Sequence, residues 1–221
     1  MSSETIDVKF EHIKTFSFLH GELPIHLVDE VNNYVDEKGE INLDDDTPKG
    51  LCNLLKASGQ SFVGLYSEQL PLSMDGNSFE NVPVECENMR IIEKTERTYT
   101  HLLDYDTDYT TKSISFTSLL YLKVPEQINV NNKHSGGCTY FNWGTNTQAD
   151  HFSLKPKQDK FTVPQVGRFI LFPSWLKHSM IPFSGDGVLR VLLANFKVRF
   201  TLWWKRNRKN HFTSMMRMLH S

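Results

Sequence analysis

The segment Gly167–Phe196, GRFILFPSWLKHSMIPFSGDGVLRVLLANF, constrains the fold of this chain more than any other stretch. Phe169–Phe172 is a short apolar run that ends at Pro173. Ser184-Gly185-Asp186-Gly187 supplies turn chemistry, with glycine free to take positive φ. Val188–Phe196 is then apolar except for Arg190 and Asn195. The segment reads as two buried strands joined by a turn. A guanidinium inside such a run needs an anion, because burying it alone costs several kcal/mol. Arginine cannot escape by losing its proton, and a carboxylate best matches its planar fork. Two plainer accounts stand beside a bound ligand: a salt bridge to one of the chain's own acids, or an edge strand that lets Arg190 reach water. His178, taken alone, reads as a satisfied core histidine. It precedes Arg190 by twelve residues across one turn. An antiparallel hairpin would bring both to one cavity.

The 221 residues correspond to one domain, or one domain with an extension. A 39% hydrophobic content with fifteen Phe is enough for a sizeable core. The net charge of −2 gives no overall bias toward nucleic acid or membrane. Cys52, Cys86 and Cys138 are too few and too scattered for a disulfide framework or a zinc site, which points to a reducing compartment. The start, MSSETIDVKFEH, lacks the basic-then-apolar order of a signal peptide, and no apolar run is long enough to cross a bilayer. A cytoplasmic location is expected, in the host if the chain is phage-encoded.

Ile6, Val8 and Phe10 alternate with polar residues and suggest an edge strand. Pro24 opens a helix with Leu27, Val28, Val31, Tyr34 and Val35 on one face, ending at Glu37-Lys38-Gly39. Thr47-Pro48 starts a second helix with Leu51, Leu54 and Leu55 as its core stripe, and Gly59 is a candidate stop. Strands are expected at 89–92, 97–103, 113–124 and 138–143. The third of these is the strongest in the chain. Helices followed by some eight short strands predict an α+β protein whose sheets form a jelly roll. The end of the chain carries Lys205, Arg206, Arg208 and Lys209 among aromatics and methionines. A helix with a solvated basic face is expected there, in preference to a nucleic-acid contact.

The LFPSWLKHSMIP strand and Arg190 resemble the C-terminal half of the double-stranded β-helix of the 2-oxoglutarate/Fe(II)-dependent dioxygenases, especially phage and bacterial members of the prolyl-hydroxylase-like branch. Gly136-Gly137-Cys138-Thr139-Tyr140-Phe141 resembles the family's Gly-Gly-x-Thr-x-Phe strand, and DKFTVPQVG resembles the lead-in to its distal-histidine strand. The resemblance covers residues 97–200. It implies a core there; residues 1–96 read as helical and strand support, and 201–221 as a basic segment by composition. The resemblance also implies Fe(II), 2-oxoglutarate and O2 as cofactors. His178 would bind iron, and Arg190, helped by Tyr121, would bind the far carboxylate of 2-oxoglutarate. The family's upstream His-x-Asp is missing. Asp104, Asp106 and Asp108 stand in its place, with His101 nearby.

Three accounts of that cluster are open. The aspartates with His178 form an oxygen-rich site for Fe(II) or Mn(II). Alternatively, His101 reaches the metal through an irregular backbone. In the third, the acids are a solvated loop and the site is dead. Three carboxylates at alternate positions repel one another, which favours some bound positive charge. The expected function is an oxygenase hydroxylating a peptidyl residue or small molecule. The alternatives are a catalytically degenerate β-helix serving as a binding or assembly module and, more weakly, a cupin-type enzyme. The oxygenase depends on one spatial expectation: His178, the acids and Arg190 meet at the mouth of one barrel. A His178 ring turned away from that loop, or a guanidinium outside the barrel, would on this reading remove the grounds for the oxygenase.

Overall fold

The computed structural model describes residues 16–39, 41, 49–67, 83–98, 115–129, 131, 136–144 and 158–198. The expected N-terminal edge strand, the Asp104–Asp108 cluster with His101, and the basic C-terminal segment lie outside the described residues. Helix α1, Ile25–Lys38, begins after Pro24, whose φ of −56° is already suited to helix entry. It ends at Gly39, which takes φ 79° and donates its N–H to the Val35 carbonyl at 2.7 Å. Val28, Val31 and Val35 are its buried stripe. Helix α2, Lys49–Ser67, starts just after Thr47-Pro48 but runs straight through Gly59. Gly59 is not the expected stop. A Cβ there would strike the Phe116 ring, so the glycine lets the helix approach the sheet closely.

Eight strands are present among the described residues: β1 Leu19–Glu22, β2 Val84–Lys94, β3 Ser115–Lys123, β4 Thr139–Asn142, β5 Asp159–Thr162, β6 Arg168–Pro173, β7 Lys177–Met180 and β8 Leu189–Val198. They form a five-stranded sheet in the order β1-β6-β3-β8-β2 and a three-stranded sheet in the order β5-β4-β7, with every pairing antiparallel. Two helices supporting two facing sheets make an α+β double-stranded β-helix. Arg97 takes φ 60° in a turn closed by Thr95 and Thr98, so no strand begins there. β1 was not expected from sequence; it is four residues long and pairs with β6 from Leu19↔Leu171 to Glu22↔Arg168.

Side chains alternate between the faces of a strand, and the large sheet sorts its residues accordingly. On the outer face, Leu120 and Leu122 of β3, Phe169 and Leu171 of β6, and Leu192, Ala194 and Phe196 of β8 pack against the helices. On the inner face, Leu119, Tyr121, Ile170, Phe172, Leu189, Val191 and Leu193 meet Phe141 and Met180 of the small sheet.

The expected two-strand hairpin over 167–196 is replaced by three strands. β6 and β8 lie in the large sheet on either side of β3, and β7 crosses to the other sheet. The reason is pairing: β3 is apolar on both faces and takes a neighbour along each edge.

Candidate metal and cosubstrate site

His178 is 1% exposed and points between the sheets, with the Phe172 ring edge-on at 5.0 Å and Phe141 as its cross-strand partner. Its Nδ1 lies 3.2 Å from the Leu176 carbonyl. A carbonyl only accepts, so Nδ1 carries a proton, and in the neutral ring the lone pair is on the buried Nε2. A backbone carbonyl holding one ring nitrogen while the other faces the ligand is how metal-binding histidines are usually oriented. The residue therefore fits an imidazole metal ligand. Among the described residues no group of three or more His, Cys, Asp or Glu gathers around a point.

Tyr121 is fully buried on the inner face and its hydroxyl lies 2.6 Å from Thr139 Oγ1. Burial raises its pKa, only partly offset by the Thr139 hydrogen bond, so the phenol stays protonated and can donate.

Arg190 is not brought together with His178. On β8, Leu189, Val191 and Leu193 face inward, so Arg190 shares the outward phase of Leu192 and Ala194. Its Nε donates to Glu93 Oε1 of β2 at 2.6 Å, and its Nη2 donates to Asp36 Oδ1 of α1 at 2.6 Å. Nη1 donates to Asn32 Oδ1 at 3.1 Å and Lys123 Nζ joins Asp36 at 3.0 Å. The Asp36 carboxyl is held below its usual range, first by the Arg190 hydrogen bond and then by Lys123. The ion pair foreseen as the plainer account of Arg190 is thus the observed one. The guanidinium ties α1 to the edge of the large sheet and lies outside the barrel.

A cavity of about 640 Å³ opens between β1 of the large sheet and β5 of the small one, reaching the start of β6. Its polar lining is His20, Glu22, Lys160, Thr162 and Arg168. Burial, with Lys160 and Arg168 nearby, lowers the His20 pKa, and burial lowers that of Lys160. The Lys160 ammonium sits 4.6 Å from the centre of the Phe18 ring. These residues escaped sequence analysis. The one signal for them was alternation: Lys160 and Thr162 share one phase of DKFT, and Arg168 shares the phase of Ile170 and Phe172.

Residues 109–194 match the family model described as a putative 2OG-Fe(II) oxygenase. No curated protein matches the sequence. The fold is similar to HygX from Streptomyces hygroscopicus, solved with nickel and 2-oxoglutarate, at 14% identity and TM-score 0.53 over 84% of each chain. It is also similar to the viral collagen prolyl hydroxylase of Paramecium Bursaria Chlorella virus-1, solved with 2-oxoglutarate, at 16% identity and TM-score 0.52 over 84% of this chain and 97% of that one. A Pseudomonas putida prolyl-4-hydroxylase aligns at 14% identity and TM-score 0.51, over 84% of this chain and 94% of that one. At such identities these structures speak to the fold. The family-model match over residues 109–194 and these folds together support a relationship of the double-stranded β-helix core to the 2OG-Fe(II) oxygenases, and with it Fe(II) and 2-oxoglutarate as cofactors.

Proposed function

We propose that this chain hydroxylates its substrate as a 2-oxoglutarate- and Fe(II)-dependent oxygenase. His178 supplies one imidazole ligand, and Asp106 with Asp104 or Asp108 supplies carboxylates. The observation that carries the proposal is the buried His178 ring, whose Nδ1 lies 3.2 Å from the Leu176 carbonyl. A buried imidazole on the inner face of the barrel is oriented through Nδ1, so that Nε2 is the ligating nitrogen. When bound, Fe(II) would let O2 act as the oxidant with 2-oxoglutarate as two-electron donor, one oxygen atom entering succinate as CO2 leaves and the other entering the substrate C–H bond. The chain's own residues hold the reactants and exclude water. The Leu176 carbonyl fixes the imidazole, Phe141 and Phe172 wall it from solvent, and Tyr121 keeps its proton for hydrogen bonding to an anion.

A ring-bearing peptide side chain suits the nearby surface. Phe16 packs edge-on against Trp143 at 5.0 Å and Trp175 at 5.5 Å, and Trp175, in the turn leading to β7, is 43% exposed. Arg190 favours a second account, a β-helix that serves as a binding module, because the expected carboxylate anchor is engaged elsewhere.

Mn(II) electron paramagnetic resonance with the full chain separates the two. For the oxygenase, the wild type binds Mn(II) and the His178→Ala variant weakens that binding at least tenfold. Fe(II), O2 and 2-oxoglutarate then yield succinate from the wild type alone. Equal Mn(II) binding by both proteins would remove His178 from the site, and the module would be the better account.

A further inference from the structure

We propose that Arg168, at the start of β6, holds the distal carboxylate of 2-oxoglutarate, with Thr162 and Tyr121 beside it, in place of a residue on β8. This rests on the oxygenase function proposed above. The inward-facing residues in the first half of β8 are Leu189, Val191 and Leu193, and none can pair with an anion. Arg190 is spent on Asp36 and Glu93 across the sheet.

Arg168 lies where a replacement is needed. Leu120 pairs with Phe169, which puts Tyr121 opposite Arg168, and Gly167 N–H donates to the Tyr121 carbonyl at 2.9 Å. Arg168 shares the inward phase of Ile170 and Phe172. Among the described residues its guanidinium is in no ion pair. Facing it across the cavity is Thr162, 7% exposed, whose Oγ1 is buried without a hydrogen-bond partner. A buried hydroxyl left unmatched is costly unless a ligand completes it.

Thr162 pairs in register with Thr139, and Thr139 holds the Tyr121 hydroxyl. Four polar groups therefore run from Tyr121 through the two threonines to Arg168. Lys160 adds a second positive charge. Glu22, exposed on β1, is the single acid of the lining, which leaves the cavity cationic.

The reach is suitable. His178 pairs with Phe141, and Thr139 is two residues further along β4. That separates the two rows by roughly 7 Å. A five-carbon diacid spans about as much as two extended residues, again roughly 7 Å. One end of 2-oxoglutarate can therefore sit at Nε2 of His178 while the other meets the Tyr121–Arg168 group.

Calorimetric titration of the Mn(II)-loaded protein tests this with two ligands: 2-oxoglutarate, and 2-oxobutanoate, which lacks the distal carboxylate. The wild type should prefer 2-oxoglutarate. Arg168→Met should raise the Kd for 2-oxoglutarate at least tenfold and leave that for 2-oxobutanoate within threefold. Arg190→Met should leave both within threefold. Retained preference in Arg168→Met, an equal loss for both ligands, or a loss of preference in Arg190→Met would each overturn the proposal. Failure of the wild type to bind either keto acid would overturn the oxygenase function along with it.

Discussion

The two faces of the large sheet carry the same kinds of residue to different ends. The outer face holds a buried arginine whose hydrogen bonds go to Glu93, Asp36 and Asn32. The rest of that face packs Leu, Ala and Phe of the sheet against α1 and α2. The inner face holds a buried tyrosine, and the small sheet sets opposite it a buried histidine and a buried threonine whose hydroxyl is unmatched. Outside, ionic groups are closed on one another and serve as fasteners. Inside, the Thr162 hydroxyl is buried without a hydrogen-bond partner. A satisfied network rigidifies a scaffold, whereas an unmatched buried polar group is a cost that function can explain. Burial and charge alone do not mark a site: Arg190 has both and belongs to the scaffold.

The contrast can be broken at three points. The largest effect is expected at Phe116, fully buried between Phe62 and a stacked Phe196 at 5.0 Å. Phe116→Ala should cost about 3–5 kcal/mol in urea unfolding, and a loss well under this would mean α2 is loosely attached. Arg190→Met should cost about 1–3 kcal/mol, since charged hydrogen bonds to the helix are lost, with a matching fall in Tm. A variant as stable as the wild type would show that the ion pairs contribute no more than Met packing does.

The smallest effect concerns pH. The Asp36 carboxyl is depressed in the folded state, so its contribution is complete above the ordinary Asp value of 3.8 and is lost as pH falls through the depressed value. Asp36→Asn should therefore lower Tm at neutral pH, and its gap from the wild type should close in acid. A constant gap across the titration would show that the lost interaction is not electrostatic.

Much of this architecture was legible from local pattern. Pro24 and Gly39 bracket α1 because proline suits a helix start and glycine takes positive φ cheaply. β3 announced itself by length and composition. His178 was singled out from its sequence context, and its imidazole is buried with Nδ1 on the Leu176 carbonyl. Gly59 was misjudged because propensity treats glycine as a stop, while here it makes room for Phe116 from a strand far away in sequence. The hairpin was misjudged because turn signals show that a chain reverses but not which strand it then pairs with.

The sequence by itself determined that α1, α2 and the long strands β3 and β8 exist, since the period of apolar residues and the turn residues are local properties. It also determined that a guanidinium at 190 must find an anion, because its charge cannot be removed. Only the tertiary structure decided which anion. Side chains alternate across a strand, so a single residue of phase sends Arg190 to the helix while Val191 faces the barrel. The same phase turns Arg168 and Tyr121 inward, and strand pairing then places them beside Thr139 and Thr162, which come from another sheet.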